Sequence, residues 1–163
     1  MSVAPVALVD NGYKNYRDFV TVLQSINRGI LLLVKNELEA KKAYNVNNVQ
    51  AIMLHGIGDG DMSMGELTAC GCYLGSNVSY NVKKMLEAGY LKYEVSRTDR
   101  RMRFVRLTPE GRKIRELVEL VHRGAYRALP SPALSPERMA AVVAVARSFD
   151  RFLMLRADRV RGS

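Results

Sequence analysis

Four arginines stand close together near the middle of the chain, and their spacing points to a binding chemistry. This arginine cluster falls within seven residues: Arg97, Arg100, Arg101 and Arg103. A guanidinium group is charged at every physiological pH and presents a planar fork of N–H donors that fits phosphate oxygens. We therefore expect the cluster to bind a polyanion, and phosphate backbones are the commonest such partner inside a cell.

The charge of the surrounding segment supports the same interpretation. The 163-residue chain has a formal net charge of +9. The 40 residues from Ser76 to Arg115 contain 11 basic and 4 acidic residues, so this segment alone carries 11 − 4 = +7. The rest of the chain holds 14 basic and 12 acidic residues, which nearly cancel. Such a localised excess favours a polyanion, although charge alone leaves open an ordinary solvated basic face.

The sequence before the arginines predicts an amphipathic helix. In the stretch GSNVSYNVKKMLEAGYL, the apolar residues Val78, Val82 and Met85 are spaced four and three apart and share one face. Gly89 is placed to end the helix, because a residue without Cβ is favoured just past a helix C-terminus. The remaining positions of this helix therefore face outward.

The outward positions carry side chains that can contact DNA. The predicted contacts on this helix are Ser76, Asn77, Ser79, Tyr80, Asn81, Lys83 and Lys84. An amide can pair with adenine, lysine can reach guanine, and hydroxyl groups can bind phosphate or a base edge. Lys83 is expected to bind phosphate. The expected base readers are Ser76, Asn77, Tyr80 and Lys84.

Two strands follow this helix, with the arginine cluster at their connection. The stretches LKYEVSR and MRFVRL alternate apolar with polar residues and predict a β-hairpin. Asp99 lies in the turn, where its residue type makes it a plain turn former. We expect the cationic tip to contact the DNA backbone or the adjacent minor groove.

A short helix in front completes a recognisable order of elements. Ser63 precedes the stretch MGELTAC, and Glu66 three residues on predicts a capping box. Short helix, tight turn, polar-faced helix and cationic hairpin together indicate a winged helix-turn-helix, whose second helix enters the major groove. Helix-turn-helix geometry by itself also occurs in protein-interaction modules.

Long amphipathic helices flank this unit. One is predicted from Tyr13 to Lys42. A second opens with Thr108 as N-cap and Pro109 at the first helical position, and a third opens in the same way at Ser135-Pro136. Three apolar stripes on a chain of this size predict a subunit interface, with an intramolecular bundle as the alternative. The predicted fold class is mainly α with a small β-hairpin wing, a winged helix-turn-helix domain flanked by long dimerisation helices. The expected divisions are residues 1–44, 45–110 and 111–163.

Two stretches of the chain resemble the MarR family of winged-helix transcriptional regulators. GSNVSYNVKKMLEAGYL is similar to the family's recognition helix, and RTDRRMRFVRLTPEGR is similar to its wing, with the pattern Leu107-Thr108-x-x-Gly111 behind the tip. The resemblance covers about Tyr13 to Asp158. It implies that Asp99 orients Arg101 through an ion pair. One departure is Asn81, which stands where the family often has an apolar residue.

The resemblance also implies an assembly. The first, fifth and sixth helices would pair two copies into a homodimer that presents two winged units to one inverted-repeat operator. We therefore expect a cytoplasmic, sequence-specific DNA-binding regulator of transcription, a repressor released by a small-molecule effector. The rival is a winged-helix architectural or protein-interaction module that binds nucleic acid without choosing sequence. An RNA binder is disfavoured, because the hairpin tip has no aromatic platform for bases.

Cysteine and histidine residues invite other chemistry. Some members of the resembled family sense oxidants with a cysteine, but a Cys70–Cys72 disulfide would close a small strained ring, and zinc would need two further ligands. We expect packing or turn roles for both, with redox sensing or metal binding as the alternatives. His55 and His122 are far apart in sequence. We expect His122 to be a surface or interface residue, with pH sensing or a place in an effector pocket as the alternatives.

Several classes of protein are excluded by what the sequence lacks. We find no phosphate-cradling glycine loop and no plausible Ser-His-Asp or Cys-His arrangement, so we expect no enzyme and no cofactor. No apolar run approaches the roughly 20 residues that cross a bilayer, and we expect no membrane contact. The absence of a secretory signal and the two cysteines favour the cytoplasm.

Overall fold

Helices dominate the computed structural model, which describes residues 6–42, 45–69, 78–95, 103–129 and 135–161. The helices in these ranges are α1 (Val6–Ala40), α2 (Asn48–Ile57), α3 (Met64–Ala69), α4 (Val78–Glu87), α5 (Pro109–Arg127) and α6 (Pro136–Arg161). The strands are β1 (Met62–Ser63), β2 (Leu91–Val95) and β3 (Arg103–Leu107). The predicted mainly α fold with a small β-hairpin is confirmed.

The helix starts predicted from capping residues are confirmed. The Ser63 backbone N–H donates to Glu66 Oε2 at 2.7 Å, and the Glu66 N–H donates to Ser63 Oγ at 3.1 Å, which is the predicted capping box of α3. At α5 the Gly111 N–H donates to Thr108 Oγ1 at 3.1 Å. At α6 the Arg138 N–H donates to Ser135 Oγ at 3.4 Å. Each side chain satisfies an N–H that has no partner within its helix.

The strands form one antiparallel sheet in the order β1-β3-β2. The predicted hairpin is confirmed as far as Val95 and Arg103, which face each other where the two strands end. β1 was not predicted. It consists of Met62 and Ser63, which pair with Val105 and Phe104 of β3. Two residues are too few to display an alternating pattern, so only the pairing itself reveals this strand.

The core lies between the sheet and the helices around it. Its fully buried members come from several elements: Val34, Met53, Leu54, Leu67, Val82, Met85, Val105, Leu107 and Val118. Val34 of α1 and Val118 of α5 thus anchor the flanking helices to the winged unit. A hydrogen bond also links α2 to α1, because the Asn48 Nδ2 donates to the Leu31 carbonyl of α1 at 3.0 Å.

The contacts divide the chain into two compact units, Met1–Arg123 and Gly124–Ser163. The first unit contains the winged elements together with α1 and most of α5. The second contains the end of α5 and all of α6. Among the helices of the described residues, none has a stretch sufficiently long and apolar to span a bilayer.

Candidate nucleic-acid interface

Helix α4 is held against the core by the predicted apolar stripe. Val82 and Met85 are buried, and Val78 is half-buried beside them. The helix ends as predicted at Gly89, whose φ of +77° lies in the left-handed region that favours glycine. The Tyr90 N–H donates to the Met85 carbonyl at 2.9 Å, which closes the last turn.

The opposite side of α4 faces solvent. It exposes four of the predicted contact residues: Ser79, Tyr80, Lys83 and Lys84. Tyr80 is 55% exposed, a high value for a large ring on a folded domain. A phenol ring beside two ammonium groups can stack on sugar or base edges while the lysines meet phosphates.

Asn81 does not belong to this surface. Its side chain is only 8% exposed, and its Oδ1 accepts a hydrogen bond from Gln50 Nε2 of α2 at 3.2 Å. The prediction that Asn81 contacts DNA is therefore wrong, because the side chain points into the protein. The spacing carried a signal, since Asn81 lies three residues after Val78 and four before Met85, on the buried stripe itself.

One carboxylate partly offsets the charge of the two lysines. Glu87 Oε2 lies 2.9 Å from Lys84 Nζ, and Glu87 Oε1 lies 3.9 Å from Lys83 Nζ. The hydrogen bond from Lys84 lowers the pKa of Glu87, and the same bond raises the pKa of Lys84. The two lysines and Glu87 together have a formal net charge of +1.

Ion pairs in and beside the sheet also neutralise some of the basic side chains in the segment from Ser76 to Arg115. Arg106 forms a two-point contact with Asp61, at 2.5 Å from Nε and 2.9 Å from Nη2, and Lys92 contacts Glu94 at 2.6 Å. The bond that Arg106 donates to Asp61 raises the pKa of Arg106, and the bond that Lys92 donates to Glu94 lowers the pKa of Glu94. These groups brace the base of the wing.

Pairing of this kind extends through most of the basic segment. Of the seven basic side chains described between Ser76 and Arg115, six have a carboxylate partner: Lys83, Lys84, Lys92, Arg106, Lys113 and Arg115. The partners of Arg106 and Arg115 are Asp61 and Asp59, which lie outside the segment that was counted. In the sequence, the arginine cluster contributes four positive charges against the one negative charge of Asp99.

Several predicted contacts lie outside the described residues. These are Ser76, Asn77, Arg97, Asp99, Arg100 and Arg101, together with the side chain of Arg103. Cys70 and Cys72 also lie outside them. The roles assigned to all of these residues remain predictions.

The two histidines come together although their separation in sequence gave no indication of it. The rings of His55 in α2 and His122 in α5 are 5.2 Å apart between centroids, and His55 Nε2 lies 3.2 Å from Glu119 Oε2. Glu119 also accepts from Arg123 Nε at 2.8 Å. Among the described residues, no three histidine, cysteine or acidic side chains are arranged to hold a metal ion.

This cluster predicts a pH-dependent stability. Burial, followed by the nearby His55, lowers the pKa of His122 below its usual value. The unfolded chain therefore binds this proton more readily than the folded one, and stability falls as the pH drops below about 6.5. We expect the free energy of unfolding to be smaller at about pH 5.5 than at about pH 7.5, and His122→Gln to reduce this difference.

Urea unfolding at the two pH values measures the effect. The matched control is Glu66→Gln, which removes a carboxylate whose pKa is lowered by its bonds to Ser63 but which titrates only below about pH 4.5. This control should leave the difference unchanged. If the difference were as large in His122→Gln as in the wild type, the assignment to His122 would be wrong.

Comparisons with known proteins agree with this geometry. The family model described as "Winged helix DNA-binding domain" matches residues 46–111. The exopolysaccharide II synthesis transcriptional activator ExpG of Rhizobium meliloti (strain 1021) is 30% identical over 120 residues, which are 74% of this chain and 62% of that protein. The chain thus spans about three-fifths of the length of this curated relative.

Solved structures match over most of the chain. Streptococcus pneumoniae FabT in complex with DNA has a TM-score of 0.65 and 20% identity, covering 85% of this chain and 97% of that one. Staphylococcus aureus MarR in complex with salicylate and kanamycin has a TM-score of 0.65 and 22% identity, covering 86% and 93%.

ExpG is named a transcriptional activator, and other matched structures are named transcriptional regulators, so the named relatives are regulators rather than enzymes. The domain match spans the elements from the start of α2 to the start of α5, and the fold match extends over the flanking helices. Both agree with the resemblance inferred from the recognition helix and the wing. Residues 46–111 thus form a winged helix DNA-binding domain, and the chain shares its fold with structures named MarR regulators.

Proposed function

We propose that the protein is a dimeric, sequence-specific DNA-binding regulator of transcription that acts in the cytoplasm. The observation that carries the proposal is the exposed face of α4, where Ser79, Tyr80, Lys83 and Lys84 stand out from a helix whose other side is locked into the core. The hairpin that holds the arginine cluster follows directly in sequence. A helix for the major groove and cationic side chains beside it are the two parts of winged-helix recognition.

The names of two structural neighbours support DNA as the partner. FabT and AbfR were each solved bound to DNA, and both share this fold. We assign Ser76, Asn77, Tyr80 and Lys84 to base reading, and Lys83 with the arginine cluster to phosphate or minor-groove contacts. Residues 45–110 would bind DNA, while residues 1–44 and 111–163 would pair the two copies.

Apolar side chains that α1 leaves exposed support the proposed dimer. They include Tyr13, Tyr16, Val22, Leu23, Ile26, Leu32 and Leu33. α6, in the second unit, exposes a set of its own: Val142, Val143, Val145, Phe152, Leu153, Met154 and Leu155. Monomers rarely leave so many large apolar side chains of two helices in water, so a second copy of the chain is the occupant we propose.

Selection of bound sequences from random duplex DNA tests the proposal. We expect an inverted repeat to emerge, and the selected duplex to bind at least about a thousandfold more tightly than a scrambled duplex of equal length and salt. Equal binding of both duplexes would instead support the rival architectural module. Salt is held fixed, because the phosphate contribution alone changes affinity steeply with it.

A second part of the proposal concerns whether the protein represses or activates transcription and which signal changes its activity. We propose repression that a small molecule relieves, and the MarR complex with salicylate and kanamycin supports a ligand-responsive fold. The relative ExpG is named an activator, which makes activation the second candidate. Deleting the gene and measuring the transcript next to the selected operator separates the two, since the transcript rises if the protein represses and falls if it activates.

Substitution of Arg101 separates phosphate binding from base reading. Arg101→Ala should weaken binding to every duplex and reduce the slope of log K against log salt by about 1, because one phosphate contact is lost. Asn77→Ala should act mainly on the selected duplex, at a cost of about 1–3 kcal/mol. Fluorescence anisotropy at several salt concentrations measures both.

The matched control for Arg101→Ala is Lys113→Ala. Lys113 belongs to the same basic segment, but its Nζ is paired with Glu110 at 2.7 Å. This control should leave the salt slope unchanged. If Arg101→Ala bound DNA as well as the wild type at physiological salt, the wing would not be the phosphate contact.

A further inference from the structure

Two polar side chains lie in the interior of the winged unit. Among the described residues, the buried polar ones are Gln50 and Asn81, each 8% exposed. Gln50 belongs to α2 and Asn81 to α4, the helix that faces DNA in the proposed function. All buried side-chain polar atoms in the described part of the chain have hydrogen-bond partners.

Both the oxygen and the nitrogen of the Gln50 side-chain amide form hydrogen bonds. Its Oε1 accepts from the Asn47 backbone N–H at 3.1 Å and closes the capping box of α2. Its Nε2 donates to Asn81 Oδ1 at 3.2 Å. The start of α2 and the middle of α4 are therefore tied through one side chain that cannot turn over without losing both bonds.

The Gln50–Asn81 hydrogen bond restricts the rotation of α4 about its axis more strictly than the apolar stripe of the helix does. Apolar side chains such as Val82 and Met85 tolerate repacking, and cores lose uniqueness before they lose stability. A hydrogen bond between buried amides is satisfied in one arrangement only, and leaving either partner unmatched is costly. The pair therefore fixes the angle of α4 about its own axis.

That angle determines where the outer side chains reach. Side-chain tips on a helix lie about 5 Å from its axis, so a rotation of about 20° moves them by about 2 Å. A hydrogen bond to a base edge does not survive such a displacement, whereas attraction to the phosphate backbone changes little. Sequence preference is thus more sensitive to the rotation than affinity for DNA in general.

We propose that the Gln50–Asn81 hydrogen bond is a positioning device that determines sequence preference without touching DNA. The inference rests on the proposed function and adds two specificity-determining residues to it. It also gives a physical reason for an amide at position 81 within an otherwise apolar stripe.

Three variants test the proposal. Asn81→Leu removes the acceptor but keeps the capping box of α2. Gln50→Met combined with Asn81→Leu replaces both amides with apolar groups of similar size and removes the Gln50 bond to the Asn47 N–H as well. Asn81→Asp keeps an oxygen in the position of Oδ1 and serves as the conservative control.

The readout is the ratio of affinities for the selected and scrambled duplexes, measured in the full chain at fixed salt. We expect both leucine-containing variants to bind the scrambled duplex within about twofold of the wild type and to lose at least about tenfold of the ratio. Asn81→Asp should keep the ratio within about threefold. Thermal unfolding shows which variants are folded, and if the double variant is not, the comparison of Asn81→Leu with Asn81→Asp decides.

A ratio unchanged within about twofold in a folded Asn81→Leu protein would overturn the inference while leaving the proposed function standing. A wild-type protein that prefers no sequence at all would instead overturn the proposed function. The two failures are therefore distinguishable in one set of measurements.

Discussion

Replacing Ile26 with glutamate should convert the protein to a monomer and weaken binding to the selected duplex by at least about a hundredfold. Ile26 is 53% exposed on α1, within the row of apolar side chains that we assign to the dimer. In a dimer this position is buried, and an ionised carboxylate without a partner is strongly disfavoured there. Loss of the dimer removes the second recognition helix, and with it the gain from two linked binding events.

Light scattering after size-exclusion chromatography and fluorescence anisotropy measure the two effects. The matched control is Thr21→Glu, which introduces the same charge at an exposed position of α1 five residues earlier, about 140° around the helix. This control should stay dimeric and bind normally. A dimeric Ile26→Glu protein would show that the apolar row of α1 is not the interface.

Adding a single methyl group at Gly111 should destabilise the protein by about 3 kcal/mol. A Cβ at this position would overlap the carbonyl oxygen of Tyr90 and lie 3.1 Å from its carbonyl carbon. The oxygen cannot easily move, because it accepts from the Thr108 backbone N–H at 3.0 Å and from Thr108 Oγ1 at 3.1 Å. These bonds join the end of α4, the start of β2 and the start of α5, so the clash would loosen the base of the wing.

Gly124→Ala in the same helix is the matched control. A Cβ there would have no atom within 4 Å, so alanine should be neutral or stabilise α5 by about 0.5–1 kcal/mol through helix propensity. Urea unfolding of both variants at equal protein concentration gives the comparison, because the dimer that we propose would make stability depend on concentration. Equal free energies of unfolding for the two variants would contradict the close packing at Gly111.

The same junction shows why much of the fold could be predicted from the sequence. Thr108 caps α5 through a bond from the Gly111 N–H three residues on, so the start of this helix follows from a local pattern, whereas the need for glycine at 111 comes from the distant Tyr90 carbonyl. Ser63 and Gly89 likewise act on their own helix ends. Signals of this kind are local, and the elements that depend on them were predicted correctly.

Features that were missed depend on residues far apart in the chain. The pairing of β1 with β3, the contact of Arg106 with Asp61 and the approach of His55 to His122 bring together distant segments, and no spacing rule reports them. The net charge of the segment from Ser76 to Arg115 overstated its free charge for the same reason, because Asp59 and Asp61 lie outside the segment and pair with arginines inside it. The DNA contact predicted for Asn81 is wrong because a polar residue type does not by itself indicate an exposed position. The spacing of Asn81 from Val78 and Met85 places it on the buried stripe.

Binding to an operator with altered spacing tests most directly that two copies of α4 read one inverted repeat. Consecutive major grooves on one side of the duplex are about 10 base pairs apart, so inserting five base pairs between the half-sites turns one of them to the opposite side. We expect the insertion to weaken binding of the full chain by at least about a hundredfold at fixed salt. Equal affinity for the selected duplex and the duplex with the insertion would contradict paired recognition.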